Sequence, residues 1–243
     1  TLKIESDSIK AIASQLDNSF TKLCDAVMNG KGKFVIMGVG KSGHIAQKIS
    51  ATLSSTGTTS IFIHPTEAAH GDIGMIDKKD IILLISNSGE TDEIINIIPS
   101  LKRHAKKIAS LTGNNKSTIA KSADIKIELK SKKEACPLDL APTSSTTNAL
   151  AFGDALAIAL LEAKGFTKND FASSHPAGKL GKKLITKVSD LMHKGGSVPK
   201  VKPDTVLDDA LLEITKKNLG ITLVINKKKI VGIFTDGDLR RCI

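Results

Sequence analysis

Residues 81–93 read IILLISNSGETDE, and no other stretch limits the possible folds as strongly. Five apolar residues in a row suit a strand buried on both faces, as in a parallel sheet covered by helices. The run passes directly into Ser86, Ser88, Gly89 and Thr91, where a helical pattern begins. That position is the carboxyl end of a strand, where open α/β sheets bind ligands. Hydroxyls beside a Gly, with free N–H groups at a helix start, make a cradle for an anion such as phosphate. The plainer alternative is an ordinary helix N-cap supplied by Ser88 or Thr91.

The remaining pattern alternates strands with helices. Strands are predicted at 34–38, 60–63, 107–111 and 124–129, and helices at 41–55, 117–122 and from Thr143 or Ser144 to Lys164. Ile9, Ile12, Leu16, Phe20, Leu23 and Val27 form one apolar stripe, predicting a single helix over 4–28. Residues 65–74 read as a Gly-punctuated loop, and Pro99 predicts a kink in the helix after the third strand. This pattern predicts an α/β fold of three αβα layers on a parallel, flavodoxin-like sheet. It occupies residues 1–183, followed by a linker at 184–203 rich in Gly, Pro and Lys. Residues 204–243 then read as helix–strand–strand–helix, too small to cover both sheet faces without a second copy of the unit.

The net charge of +10 raises the question of nucleic acid. Trp and Tyr are absent and no helix-turn-helix or zinc-finger spacing occurs, so a basic surface attracting anionic metabolites is the better reading. No apolar run approaches the roughly 20 residues that cross a bilayer, and the opening residues do not read as a signal peptide. Three scattered cysteines without a C-x-x-C pair fit a reducing cytoplasm. The start at Thr1 reads as trimmed or processed.

Gly38-Val39-Gly40-Lys41-Ser42-Gly43 matches G-x-G-x-x-G, but His64-Pro65 stands where a dinucleotide site wants an acidic residue. It also imitates the end of a P-loop, but Val35 occupies the position of that motif's first Gly. What remains is a Gly-rich turn with Lys41 and Ser42 within reach of a phosphorylated ligand. A Lys at a helix N-terminus opposes the dipole, which argues for a functional role. His64 and His70 flank a short loop at a strand end, with a spacing that matches no strong metal pattern. Glu93, Glu134 and His175 are candidates for proton transfer, although each alone also fits a solvated surface charge.

The stretches GVGKSGHIAQKISATLSSTGT, HPTEAAHGDIGM, ISNSGETDEI, KEACPLDLAPTSSTT and SHPAGKLGKKL together resemble the arabinose-5-phosphate isomerase family, a sugar-isomerase (SIS) domain followed by paired CBS motifs. NLGITLVINKKKIVGIFTDGDLRR is similar to the first CBS motif alone, so the resemblance implies a truncated CBS portion. It also implies reversible conversion of D-ribulose 5-phosphate to D-arabinose 5-phosphate, in supply of the lipopolysaccharide sugar Kdo. The family's catalytic positions fall on Lys41, Glu93, Glu134 and His175. Its substrate contacts fall on Gly57, Thr58 and His70, and its position for an inhibitory divalent ion, such as zinc, falls on His64. Ser42, Ser86, Ser88 and Thr91 are expected to hold the phosphate. No cofactor is required by this chemistry. A homotetramer is expected, with active sites built across subunits and a nucleotide or pathway product as effector at the CBS portion. The alternatives are a catalytically silent phosphosugar sensor and an isomerase of another phosphosugar.

Overall fold

The computed structural model describes residues 1–175, 182–184 and 186–242, in two compact units, 1–185 and 186–243. In the first unit, β1 (Phe34–Gly38), β2 (Ser60–Phe62), β3 (Ile81–Ile85), β4 (Lys107–Thr112) and β5 (Ile125–Glu128) form one parallel sheet in the order β2-β1-β3-β4-β5. This is the flavodoxin-like order, in which the chain reverses direction across the sheet between β1 and β3.

The strands alternate in the side chains they send to each face. Phe34, Ile36, Leu83 and Ile85 enter one core, with Ile49, Leu53, Phe152 and Leu156 from α3 (Gly40–Ser55) and α8 (Ser144–Ala163). Val35, Met37, Ile82 and Leu84 enter the other, with Ile94, Leu101 and Ile119 from α5 (Asp92–Ile95), α6 (Ile98–His104) and α7 (Thr118–Ser122). Both faces of β1 and β3 are therefore dry, which explains the unbroken apolar runs. Each fully buried aliphatic side chain contributes about 1.5–3 kcal/mol.

Three local expectations are corrected. Residues 4–28 form two helices, α1 (Leu2–Ala13) and α2 (Asn18–Met28). Asp17 breaks the stripe by accepting the Ser19 N–H at 2.7 Å as an N-cap, while the Gln15 side chain bonds the Lys130 backbone. Residues 65–74 are not an open loop. They contain α4 (Pro65–Ala69) and a 3₁₀ turn at Asp72–Met75, with Pro65 pre-set for the helix start and His64 as its cap. The helix after β3 is broken before Pro99 into α5 and α6. A further helix, α9 (Lys168–Ser174), opens on a Thr167–Asp170 capping box.

In the second unit, β6 (Lys200–Val201) lies within the stretch read as a linker and pairs parallel with β7 (Ile221–Asn226). β8 (Lys229–Thr235) returns antiparallel through Lys227 and Lys228, both at positive φ, the conformation of a tight hairpin turn. The helix Leu207–Lys217 buries Ala210 and Ile214, and Thr235 with Asp238 caps the helix Asp236–Cys242. Among the described residues no helix is long and apolar enough to cross a membrane.

Candidate active site

The site is built from the carboxyl ends of β1, β3 and β4 and the first turn of α8. After β1, Gly38 and Gly43 allow a close crossing: a Cβ on Gly43 would stand 2.8 Å from the Gly38 carbonyl oxygen. This brings the first turn of α3, with Lys41 and Ser42, hard against the strand end. No side chain caps α3 at Val39, so its first N–H groups face outward for an anion.

After β3 the hydroxyls converge. Ser86 Oγ lies 2.8 Å from Thr91 Oγ1 and 3.4 Å from Ser88 Oγ. Ser86 accepts the Gly89 N–H at 3.0 Å, and Ser88 accepts the Glu90 N–H at 3.2 Å. Ser86 and Ser88 each accept one backbone N–H and the Ser86–Thr91 bond uses one hydroxyl hydrogen, so the remaining hydroxyl hydrogens can turn to a phosphate oxygen. Thr91 occupies the N-cap position of α5 but makes no cap bond, since its hydroxyl pairs with Ser86 instead. Thr91 therefore does not act as a side-chain N-cap of α5. Gly89 is indispensable, having φ +68° and a missing Cβ that would stand 2.1 Å from Ser117 Oγ.

A hollow between these turns is lined by Ser42, Asn87, Thr112, Ser145 and Thr146 over an apolar floor that includes Ile85 and Leu111. Glu134 stands at the same helix start. Its Oε2 accepts from Thr143 N at 2.7 Å, Thr143 Oγ1 at 3.0 Å and Ser145 N at 3.3 Å, so it caps α8 from nine residues upstream. Burial pushes its carboxyl up, but the bonds from Ser145 and Thr143 outweigh that and hold it below the usual carboxylate range. Glu134 is thus ionised at neutral pH, and its three bonds converge on Oε2 rather than Oε1.

The other expected residues are arranged as follows. Lys41 and Glu93 are exposed in the first turns of α3 and α5. His64 Nδ1 accepts the Thr66 N–H at 3.3 Å, and His70 Nδ1 lies 2.8 Å from the Thr66 carbonyl oxygen, to which it must donate. In a neutral ring these bonds place the hydrogen on Nδ1 of His70 and on Nε2 of His64. Among the described residues no group of three or more His, Cys, Asp or Glu comes together. His175 ends α9 stacked on Phe171, with ring centroids 4.0 Å apart, and its Nδ1 lies 3.0 Å from the Phe171 carbonyl. Residues 176–181 of the SHPAGKLGKKL stretch lie outside the described residues.

Gly57 and Thr58 do not join the site within one chain. They precede β2 at the opposite edge of the sheet, where Lys164 donates to Gly57 O at 2.9 Å and to Thr58 Oγ1 at 2.7 Å. A strand of five residues separates the two edges by about 17 Å. Among the described residues no hydrogen bond joins Lys41, Glu93, Glu134 and His175 to one another. The sequence reading missed Asn87, Thr112, Ser145 and Thr146; the SSTT run at 144–147 was the available signal for the last two.

A model of the SIS domain matches residues 28–159 and one of the CBS domain matches residues 188–243. The chain is 52% identical over 244 residues to Arabinose 5-phosphate isomerase KdsD of Pseudomonas aeruginosa, covering 100% of this chain and 75% of that protein. It is 54% identical to the Salmonella typhi protein of the same name over 241 residues, 99% of this chain and 74% of that protein. An Escherichia coli CFT073 protein solved in complex with arabinose 5-phosphate superposes with a TM-score of 0.70 at 45% identity, over 72% of this chain and 93% of that one. The hydroxyl-lined site and the CBS unit thus sit on a sequence half identical to these isomerases, and the chain belongs to the arabinose 5-phosphate isomerase family.

Proposed function

We propose that this chain interconverts D-ribulose 5-phosphate and D-arabinose 5-phosphate through a cis-enediol. The observation that carries the reading is the convergence of Ser86, Ser88 and Thr91 at the end of β3, beside the hollow that Glu134 borders through α8. The phosphate is a handle that does not react, and binding it supplies energy for positioning the sugar. From the aldose, a carboxylate removes the C2 proton. The C–H electron pair becomes the C1–C2 double bond, and the C1 oxygen takes up a proton. A proton returned to C1, with loss of the O2 proton, leaves the C2 ketone.

Glu134 or Glu93 acts as the base, Lys41 steadies the developing negative charge, and His175 or His70 moves hydroxyl protons. Electrons and protons balance without a redox cofactor, and a divalent ion such as zinc at His64 acts only as an inhibitor. Gly57 and Thr58 reach the site from a neighbouring copy in a homotetramer, a reading supported by their place at the opposite sheet edge. The protein works in the cytoplasm in supply of Kdo for lipopolysaccharide, and a nucleotide or pathway product acts at the CBS portion.

The test is proton exchange at C2 of arabinose 5-phosphate in deuterated water, followed by NMR. Deuterium entering C2 together with formation of ribulose 5-phosphate is expected. A substrate that stays protonated and unconverted overturns the assignment.

A further inference from the structure

Glu90 presents a contradiction: it places a carboxylate inside the loop that is to hold a phosphate dianion, where like charges repel. Its geometry resolves this. Glu90 Oε1 accepts the Thr118 N–H at 2.8 Å, so the carboxylate is turned onto the first turn of α7. One residue earlier, the Gly89 carbonyl accepts the Ile119 N–H at 3.1 Å, and the backbone of Gly89 lies flush on the buried Ser117 side chain. In the other direction the Glu90 N–H donates to Ser88 Oγ, which in turn lies beside Ser86 Oγ. A continuous run of bonds therefore leads from α7 through Glu90 to the hydroxyls.

We propose that Glu90 is a positioning residue that anchors the phosphate-holding loop to α7 through the Thr118 N–H. This rests on the reading of Ser86, Ser88 and Thr91 as the phosphate cradle. Anchoring and electrostatics predict opposite signs. If charge repulsion dominated, neutralising Glu90 would tighten binding. If anchoring dominates, removing the acceptor loosens the loop and weakens binding, while an uncharged acceptor restores it. The donor can also be deleted alone. Thr118 is the first residue of α7, where Pro is tolerated, and Ser117 at φ −65° and ψ 162° already has the extended backbone that a following Pro demands.

The experiment is steady-state kinetics of the full chain with arabinose 5-phosphate, alongside calorimetric titration with inorganic phosphate. Glu90→Ala should raise KM roughly five- to tenfold with kcat within about twofold. Glu90→Gln should stay near the parent value, Thr118→Pro should match Glu90→Ala, and the two changes together should add little more. Phosphate affinity should fall in parallel. An unchanged or lower KM in Glu90→Ala, or Gln behaving like Ala, overturns the anchor. Should Thr118→Pro melt early, the Ala and Gln variants of the exposed Glu90 decide it alone. A parent protein that binds phosphate without turning over the sugar refutes the isomerase reading and leaves the phosphate series to judge the anchor. One that binds neither refutes both.

Discussion

The two edges of the sheet are built from similar residue types and use them in opposite ways. At the amino edge, Asp80 is fully buried and accepts from Lys33 N at 2.6 Å, Asp77 N at 2.8 Å and Lys33 Nζ at 2.9 Å. Lys164 spends its ammonium on Gly57 and Thr58, and burial lowers its pKa. These groups satisfy one another, so they fix loops. At the carboxyl edge, Ser86 and Ser88 each accept one backbone N–H, Thr91 pairs with Ser86, and α3 opens without a side-chain cap. Polarity that is consumed locally holds the fold together, and polarity left with spare donors is available to a ligand. The difference lies in the partners each group finds rather than in residue type.

The comparison can be broken from either side. The largest expected effect is chemical: Glu134→Gln and Glu93→Gln should each lower kcat by roughly 10²–10⁴-fold with little change in KM. Near-normal turnover in both would remove carboxylate base catalysis from the account. Next, Gly89→Ala should cut kcat/KM at least about a hundredfold, because a Cβ both collides with Ser117 and strains a positive φ. At the other edge, Asp80→Ala should cost about 2–4 kcal/mol of stability in urea unfolding, leaving Lys33 and two N–H groups without their acceptor.

Asp80 also makes a pH prediction. Burial alone would raise its carboxyl, but the Asp77 and Lys33 bonds more than offset this and hold it below the ordinary value. A carboxyl lowered by folding contributes stability above the unfolded value, about pH 4, and loses it as pH falls through the folded one. The gap between parent and Asp80→Asn should therefore be full at neutral pH and narrow only below about pH 4. The smallest effect belongs to the exposed pair of Lys48 and Asp154, which links α3 to α8. Lys48→Ala should change stability by at most about 1 kcal/mol.

Much of this arrangement was legible in the residues. Apolar runs at 34–37 and 81–85 announced strands buried on both faces, and the hydroxyl-rich turn after the second announced a cluster of hydroxyls at its end. Periodicity failed where a cap interrupts a stripe that stays in phase. Leu16 and Phe20 still pack on the core, so the apolar pattern runs through the break that Asp17 makes. The short helix after His64 was hidden because an imidazole cap has no common sequence signal. The cap role of Glu134 rests on partners nine and eleven residues away, across a loop whose path periodicity does not encode. The separation of Gly57 and Thr58 from the hydroxyls is a property of strand direction, since they precede β2 while the hydroxyls follow β3 in a parallel sheet.

The most direct test is calorimetric titration of arabinose 5-phosphate into the Ser86→Ala, Ser88→Ala double variant, after confirming that its melting temperature matches the parent's. The account predicts a Kd weakened at least about thirtyfold, since each lost donor to a charged oxygen costs roughly 1–3 kcal/mol. A Kd equal to the parent's in a folded protein would contradict it and move the phosphate away from the end of β3.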